Sequence, residues 1–81
     1  MKTLENLTIG TKLEMINQSG TYGLYSNIFV SDIKETKSGR LSVMITRTYT
    51  YEGEVNTKTV KFGNGALSKK TLLLDYNYIV K

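Results

Sequence analysis

The chain contains no cysteine, no histidine and no proline. Without cysteine there is neither a disulfide frame nor a thiolate metal site, so stability must come from apolar burial and sheet hydrogen bonds, and the composition fits a reducing cytoplasm. Without histidine the commonest metal ligand and the commonest general base are both missing. Nucleophilic catalysis would then need a lysine or carboxylate desolvated in a pocket, which so small a core can hardly supply. The chain is therefore read as a non-enzyme with no metal and no cofactor. The first ten residues lack the apolar run of a signal peptide, and no segment approaches the roughly 20 apolar residues of a membrane span. A soluble, cytoplasmic protein with no membrane contact is expected. Arginine is scarce too: Arg40 and Arg47 are the only two, and they form no arginine-rich motif.

What is present organises itself around residues 41–62, LSVMITRTYTYEGEVNTKTVKF. This stretch reads as one long β-hairpin turning at Glu52-Gly53. With those two residues as the loop, Tyr51 falls opposite Glu54, Tyr49 opposite Asn56, Arg47 opposite Lys58, Ile45 opposite Val60 and Val43 opposite Phe62. One register gathers the apolar pairs on one face and pairs Thr48 with Thr57 and Thr46 with Thr59 on the other, contacts suited to an antiparallel sheet. Val43, Ile45, Val60 and Phe62 are the predicted core of the hairpin.

Eighty-one residues support one small core, so residues 1–81 are expected to form a single β domain. Residues 2–6 are too short to assign between one helical turn and an extended lead-in. In residues 7–17 Leu7, Ile9, Leu13 and Met15 recur with a period of two, which predicts a strand bent or bulged near Gly10. Residues 17–23, rich in glycine and small polar side chains, read as a loop. Residues 24–33 have strand composition, with Phe29 and Ile33 favoured over Ile28 and Val30 as the inward pair. Residues 34–40 form a polar turn in which Ser38-Gly39 supplies the left-handed position. The Gly63-Asn64-Gly65 run is a second turn and not a phosphate loop, because no Gly-Lys-Ser/Thr and no long helix follow it. Residues 66–70 can form one helical turn. The tail from residue 71 reads as the last strand, with Leu72 and Leu74, or Leu73 with Tyr76 and Tyr78, closing the core.

Five strands joined by short turns predict an all-β fold, either a small five-stranded SH3-like barrel or a strongly bent antiparallel sheet, with at most a short helical turn. SH3-like ranks above OB-like because residues 63–70 are short for the helix that the OB plan places between its third and fourth strands.

The net charge of +4 is unevenly placed: residues 1–33 hold two lysines against three acidic residues, while residues 34–81 hold nine basic against four acidic residues. A basic excess of this kind can attract nucleic acid or an acidic protein surface. On the hairpin, Arg47, Tyr49 and Tyr51 share a face with Lys58 and Asn56, so rings able to stack on unpaired bases lie beside cations able to neutralise phosphates. Arg40 and Lys61 are further basic contacts. The expected ligand is single-stranded nucleic acid, RNA before DNA, since the shortage of Arg and of Asn/Gln clusters disfavours base-edge reading in a major groove. The alternative is a protein-binding inhibitor or accessory protein, of phage or mobile-element character, blocking a host factor through a sheet edge or the hairpin tip. Glu52 and Glu54 flank Gly53 at that tip, where no burial can tune them for acid–base work.

Overall fold

The computed structural model describes residues 2–18 and 23–81. Five strands, β1 (Lys12–Met15), β2 (Leu24–Glu35), β3 (Leu41–Tyr51), β4 (Glu54–Lys61) and β5 (Tyr78–Val80), form one antiparallel sheet in the order β4-β3-β2-β1-β5. The sheet is bent but open. Of the two expected architectures it is the strongly bent sheet and not the closed barrel, since β4 and β5 remain as its two edges.

The hairpin β3–β4 has the predicted register: Tyr51 pairs with Glu54, Tyr49 with Asn56, Arg47 with Lys58 and Ile45 with Val60. The Phe62 N–H donates to the Val43 carbonyl at 2.8 Å and continues the ladder. Glu52 and Gly53 both adopt positive φ (50° and 81°), the two-residue turn whose twist matches the strands it joins. On the back of the hairpin the Thr46–Thr59 and Thr48–Thr57 hydroxyls are hydrogen-bonded at 2.8 and 3.2 Å.

Strand β2 departs from the expectation. Its pairing with β3 slips between Ser26 and Phe29 and again between Val30 and Asp32, and Asn27 sits at φ 49 within the first irregularity. Each bulge inserts a residue and reverses the inside–outside alternation. Tyr25, Ile28, Val30 and Ile33 consequently contribute to the core side, while Phe29 stands 39% exposed on the other. The favoured inward pair was thus half right: Ile33 packs against the core and Phe29 does not, whereas Ile28 and Val30 are fully buried.

The core comprises Leu4, Leu7, Leu13, Ile28, Val30, Leu41, Val43, Ile45, Phe62, Leu73 and Tyr78. Residues at both ends of the chain cover it. Leu4 lies in a short 3-10 helix (Leu4–Asn6), whose Thr3 N–H is capped by the Asn6 side chain. Main-chain hydrogen bonds tie this segment to the far end of the sequence: Leu4 N–H to Thr71 O, Glu5 N–H to Lys69 O, and Leu73 N–H to Lys2 O. Residues 8–11 form a turn that leaves Ile9 exposed, so β1 begins only at Lys12 and the period-two reading of residues 7–17 holds over its second half. Residues 66–70 make no helical turn; Leu67 instead bridges Leu41 through a pair of main-chain hydrogen bonds. The tail is a 3-10 helix (Leu73–Tyr76), a left-handed Asn77 (φ 64) and then β5, so Leu73 and Tyr78 are buried while Leu74 points outward. The loop expected over residues 17–23 lies largely outside the described residues. No helix among the described residues is long and apolar enough to cross a membrane.

Candidate nucleic-acid interface on the hairpin

The core side of β3 is buried at Leu41, Val43 and Ile45. The same side then continues as Arg47, Tyr49 and Tyr51, beyond the end of the core. The molecule is accordingly elongated, 42 × 22 × 20 Å, and every residue of β4 except the half-buried Val60 is exposed.

Arg47 marks the boundary. Its guanidinium lies 4.1 Å from the centroid of the Tyr25 ring, a cation–π distance, and its Nη1 donates to the Tyr78 hydroxyl at 3.0 Å. Tyr78 is itself buried against Phe62, the ring centroids 5.2 Å apart. Arg47 therefore joins the core to the aromatic strip, with one N–H on the Tyr78 hydroxyl and its guanidinium held over the Tyr25 ring. That arrangement also answers the like-charge pairing with Lys58: one cation is drawn onto a ring and the other is left facing solvent, with no ion-pair partner among the described residues.

Beyond Arg47 the rings form a row. Tyr25 and Tyr49 lie 5.0 Å apart and tilted by 39°; Tyr49 and Tyr51 are 6.4 Å apart and nearly parallel, at 15°. Tyr25, Arg47, Tyr49, Asn56, Lys58 and Val60 line a groove of about 490 Å³. Gly23 lies against the Tyr49 ring: at φ 103, a Cβ there would stand 2.6 Å from it, so a residue without a side chain gives the ring its room.

Four of the six sequence-predicted site residues, Arg47, Tyr49, Tyr51 and Lys58, are thus brought together. The other two are not. Lys61 lies on the opposite face of β4, in step with Thr57 and Thr59, and Arg40 lies in the β2–β3 turn at the far end of the sheet. The basic excess follows them. Lys34, Lys37, Arg40, Lys61, Lys69 and Lys70 cluster toward that end, partly offset by the Lys34–Asp32, Lys69–Glu35 and Lys70–Glu5 ion pairs. At the hairpin tip, Arg47 and Lys58 are matched in number by Glu52 and Glu54. Sequence reasoning missed Tyr25 and Tyr78 as members of the site. Tyr25 pairs with Tyr49 before the first β2 bulge and shares the parity of Ile33, so the signal that could have found it is the β2–β3 pairing and not the hairpin of β3 and β4.

No group of three or more His, Cys, Asp or Glu residues arranged to hold a metal occurs among the described residues. No family model, curated protein or solved structure matches the chain.

Proposed function

We propose that this domain is a non-enzymatic binding module that takes single-stranded nucleic acid, RNA before DNA, along the Tyr25–Tyr49–Tyr51 row. The observation that supports it is the pairing of nearly parallel rings, ending in a Tyr51 that is 41% exposed, with a Lys58 on the adjacent strand that has no ion-pair partner among the described residues. Base stacking on such rings is tolerant of sequence and contributes about 1–3 kcal/mol per base. Lys58 supplies the phosphate contact, and Arg47 acts as a positioning residue that holds Tyr25.

With Lys58 the one cation of the site that has neither an ion-pair nor a ring partner among the described residues, the salt dependence is expected to be shallow. In a fluorescence-anisotropy titration of a labelled single-stranded oligonucleotide at several salt concentrations, Lys58→Gln should flatten the slope of log affinity against log salt by about 0.7. Tyr51→Ala should weaken binding roughly tenfold with the slope unchanged, since it removes a stacking surface and no charge. Absence of binding even at low salt, or identical behaviour of the two variants, would reject the proposal.

A second reading, a protein-binding inhibitor or accessory protein of phage or mobile-element character, is favoured by one feature. At the back of the tip, Leu24, Thr50 and Val55 are aligned across three strands, with Leu24 and Val55 both well exposed. Exposed apolar side chains gathered in this way suit a protein contact better than a phosphate chain. Recovery of nucleic acid with the tagged domain that vanishes on nuclease digestion supports the first reading. A stoichiometric protein complex that survives digestion and is lost on Val55→Asp supports the second.

A further inference from the structure

Strand β4 is an edge of the sheet, and no described residue pairs along its outer side. Its ladder with β3 runs from Tyr51↔Glu54 to Met44↔Lys61 without a register shift, unlike that of β2. No proline interrupts it. The Phe62 N–H bonded to Val43 O sets the phase of the ladder. By the alternation of antiparallel pairing, Val55, Thr57, Thr59 and Lys61 direct their N–H and C=O groups outward. An unbroken edge of this length is a template for another strand unless something guards it.

The guards here are charges, and they select a partner. We infer that the outer edge of β4 pairs antiparallel with β4 of a second copy of this chain, about a two-fold axis normal to the sheet that sets Asn56 opposite Asn56. Face-to-face consistency requires residues of like parity to oppose each other. Among such registers, centring on Lys58 would set Lys58 against Lys58, and centring on Thr57 would set Glu54 against Val60. Centring on Asn56 sets Glu54 of each copy against Lys58 of the other, so these two charges, neither of which has an ion-pair partner among the described residues, each gain one. In the same register Val55 and Thr57, both with outward-facing main-chain groups, exchange hydrogen bonds across the axis. The dimer is a continuous antiparallel sheet that carries both tyrosine rows on one side. This inference does not depend on what the tyrosines bind. Because Lys58 is common to the interface and to the strip, a polyanion that engages it would loosen the dimer.

The test is sedimentation equilibrium of the full chain over a concentration series reaching the millimolar range. A concentration-dependent monomer–dimer equilibrium, weakened by salt because the charge pairs are exposed, is expected. Thr57→Pro should leave a folded monomer, since the proline removes an outward N–H that the hairpin does not use. Glu54→Lys should weaken association by about tenfold, as cross-strand attraction becomes repulsion at two symmetry-related places. The exchange Glu54→Lys with Lys58→Glu should restore it, which keeps the inference testable should the proline variant fail to fold. A wild-type chain that remains monomeric throughout, dimerisation unaffected by Thr57→Pro, or a double exchange no stronger than Glu54→Lys alone would each overturn it.

Discussion

Phe62→Ala is expected to lower stability by roughly 3–5 kcal/mol, which approaches the whole stability of a marginal small domain. Phe62 is 1% exposed and follows β4 at the point where the long hairpin enters the core. Its ring contacts Tyr76 at 5.1 Å and Tyr78 at 5.2 Å between centroids. Truncation opens a cavity beneath both rings, and Tyr78 is the residue whose hydroxyl receives Arg47. The loss should therefore appear twice in a urea titration followed by circular dichroism and by tyrosine fluorescence: as a lower midpoint, and as a disturbed aromatic row in whatever folded fraction remains. An unchanged midpoint would show that Phe62 is not core.

The second large effect is a contrast between neighbours. Val30→Asp should cost several kcal/mol, because Val30 is 0% exposed and a carboxylate there has no partner to offset its desolvation. Phe29→Asp, one residue earlier, should change stability by about 1 kcal/mol or less, the range of an exposed site. Thermal melts of the two variants decide the matter. Equal losses, or the larger loss at Phe29, would mean that β2 lacks the bulges that turn Val30 inward.

That contrast also shows where sequence reasoning succeeds. The hairpin of β3 and β4 was legible to the residue, because its alternation is unbroken and a two-residue turn fixes the register. The same alternation carried Arg47, Tyr49, Tyr51 and Lys58 to one face of the candidate site. On β2 the alternation breaks twice, and a pattern of period two assigns the wrong side to every residue between the breaks. Phe29 was misplaced for that reason, whereas Tyr25 lies before the first break with the parity of Ile33 and was left out because the site was read from the β3–β4 hairpin alone. Arg40 and Lys61 were grouped with the tyrosines on charge alone, and strand parity and distance along the sheet separate them. Leu4, among the most buried side chains, gave no periodic signal, because its short helix is held by hydrogen bonds to residues near the opposite end of the chain. The tail carried strand composition, yet Asn77 in the left-handed region ends a 3-10 helix there and leaves only three residues for β5.

The stitching of Lys2–Glu5 onto Lys69–Leu73, together with the pairing of Leu13 with Val80, bears on how the chain reaches this structure. Strands β2, β3 and β4 close through short turns and can assemble early as a meander. By contrast, β1–β5 and the segments beside it must bring distant parts of the sequence together, a loop-closure entropy that neighbouring contacts do not share. Folding should thus proceed from the meander outward, with docking of the two chain ends as the slow step. Until that step, Val30, Val43 and Ile45 lack their cover, and the transient species exposes both an apolar face and an open strand edge, the combination most prone to misassociation.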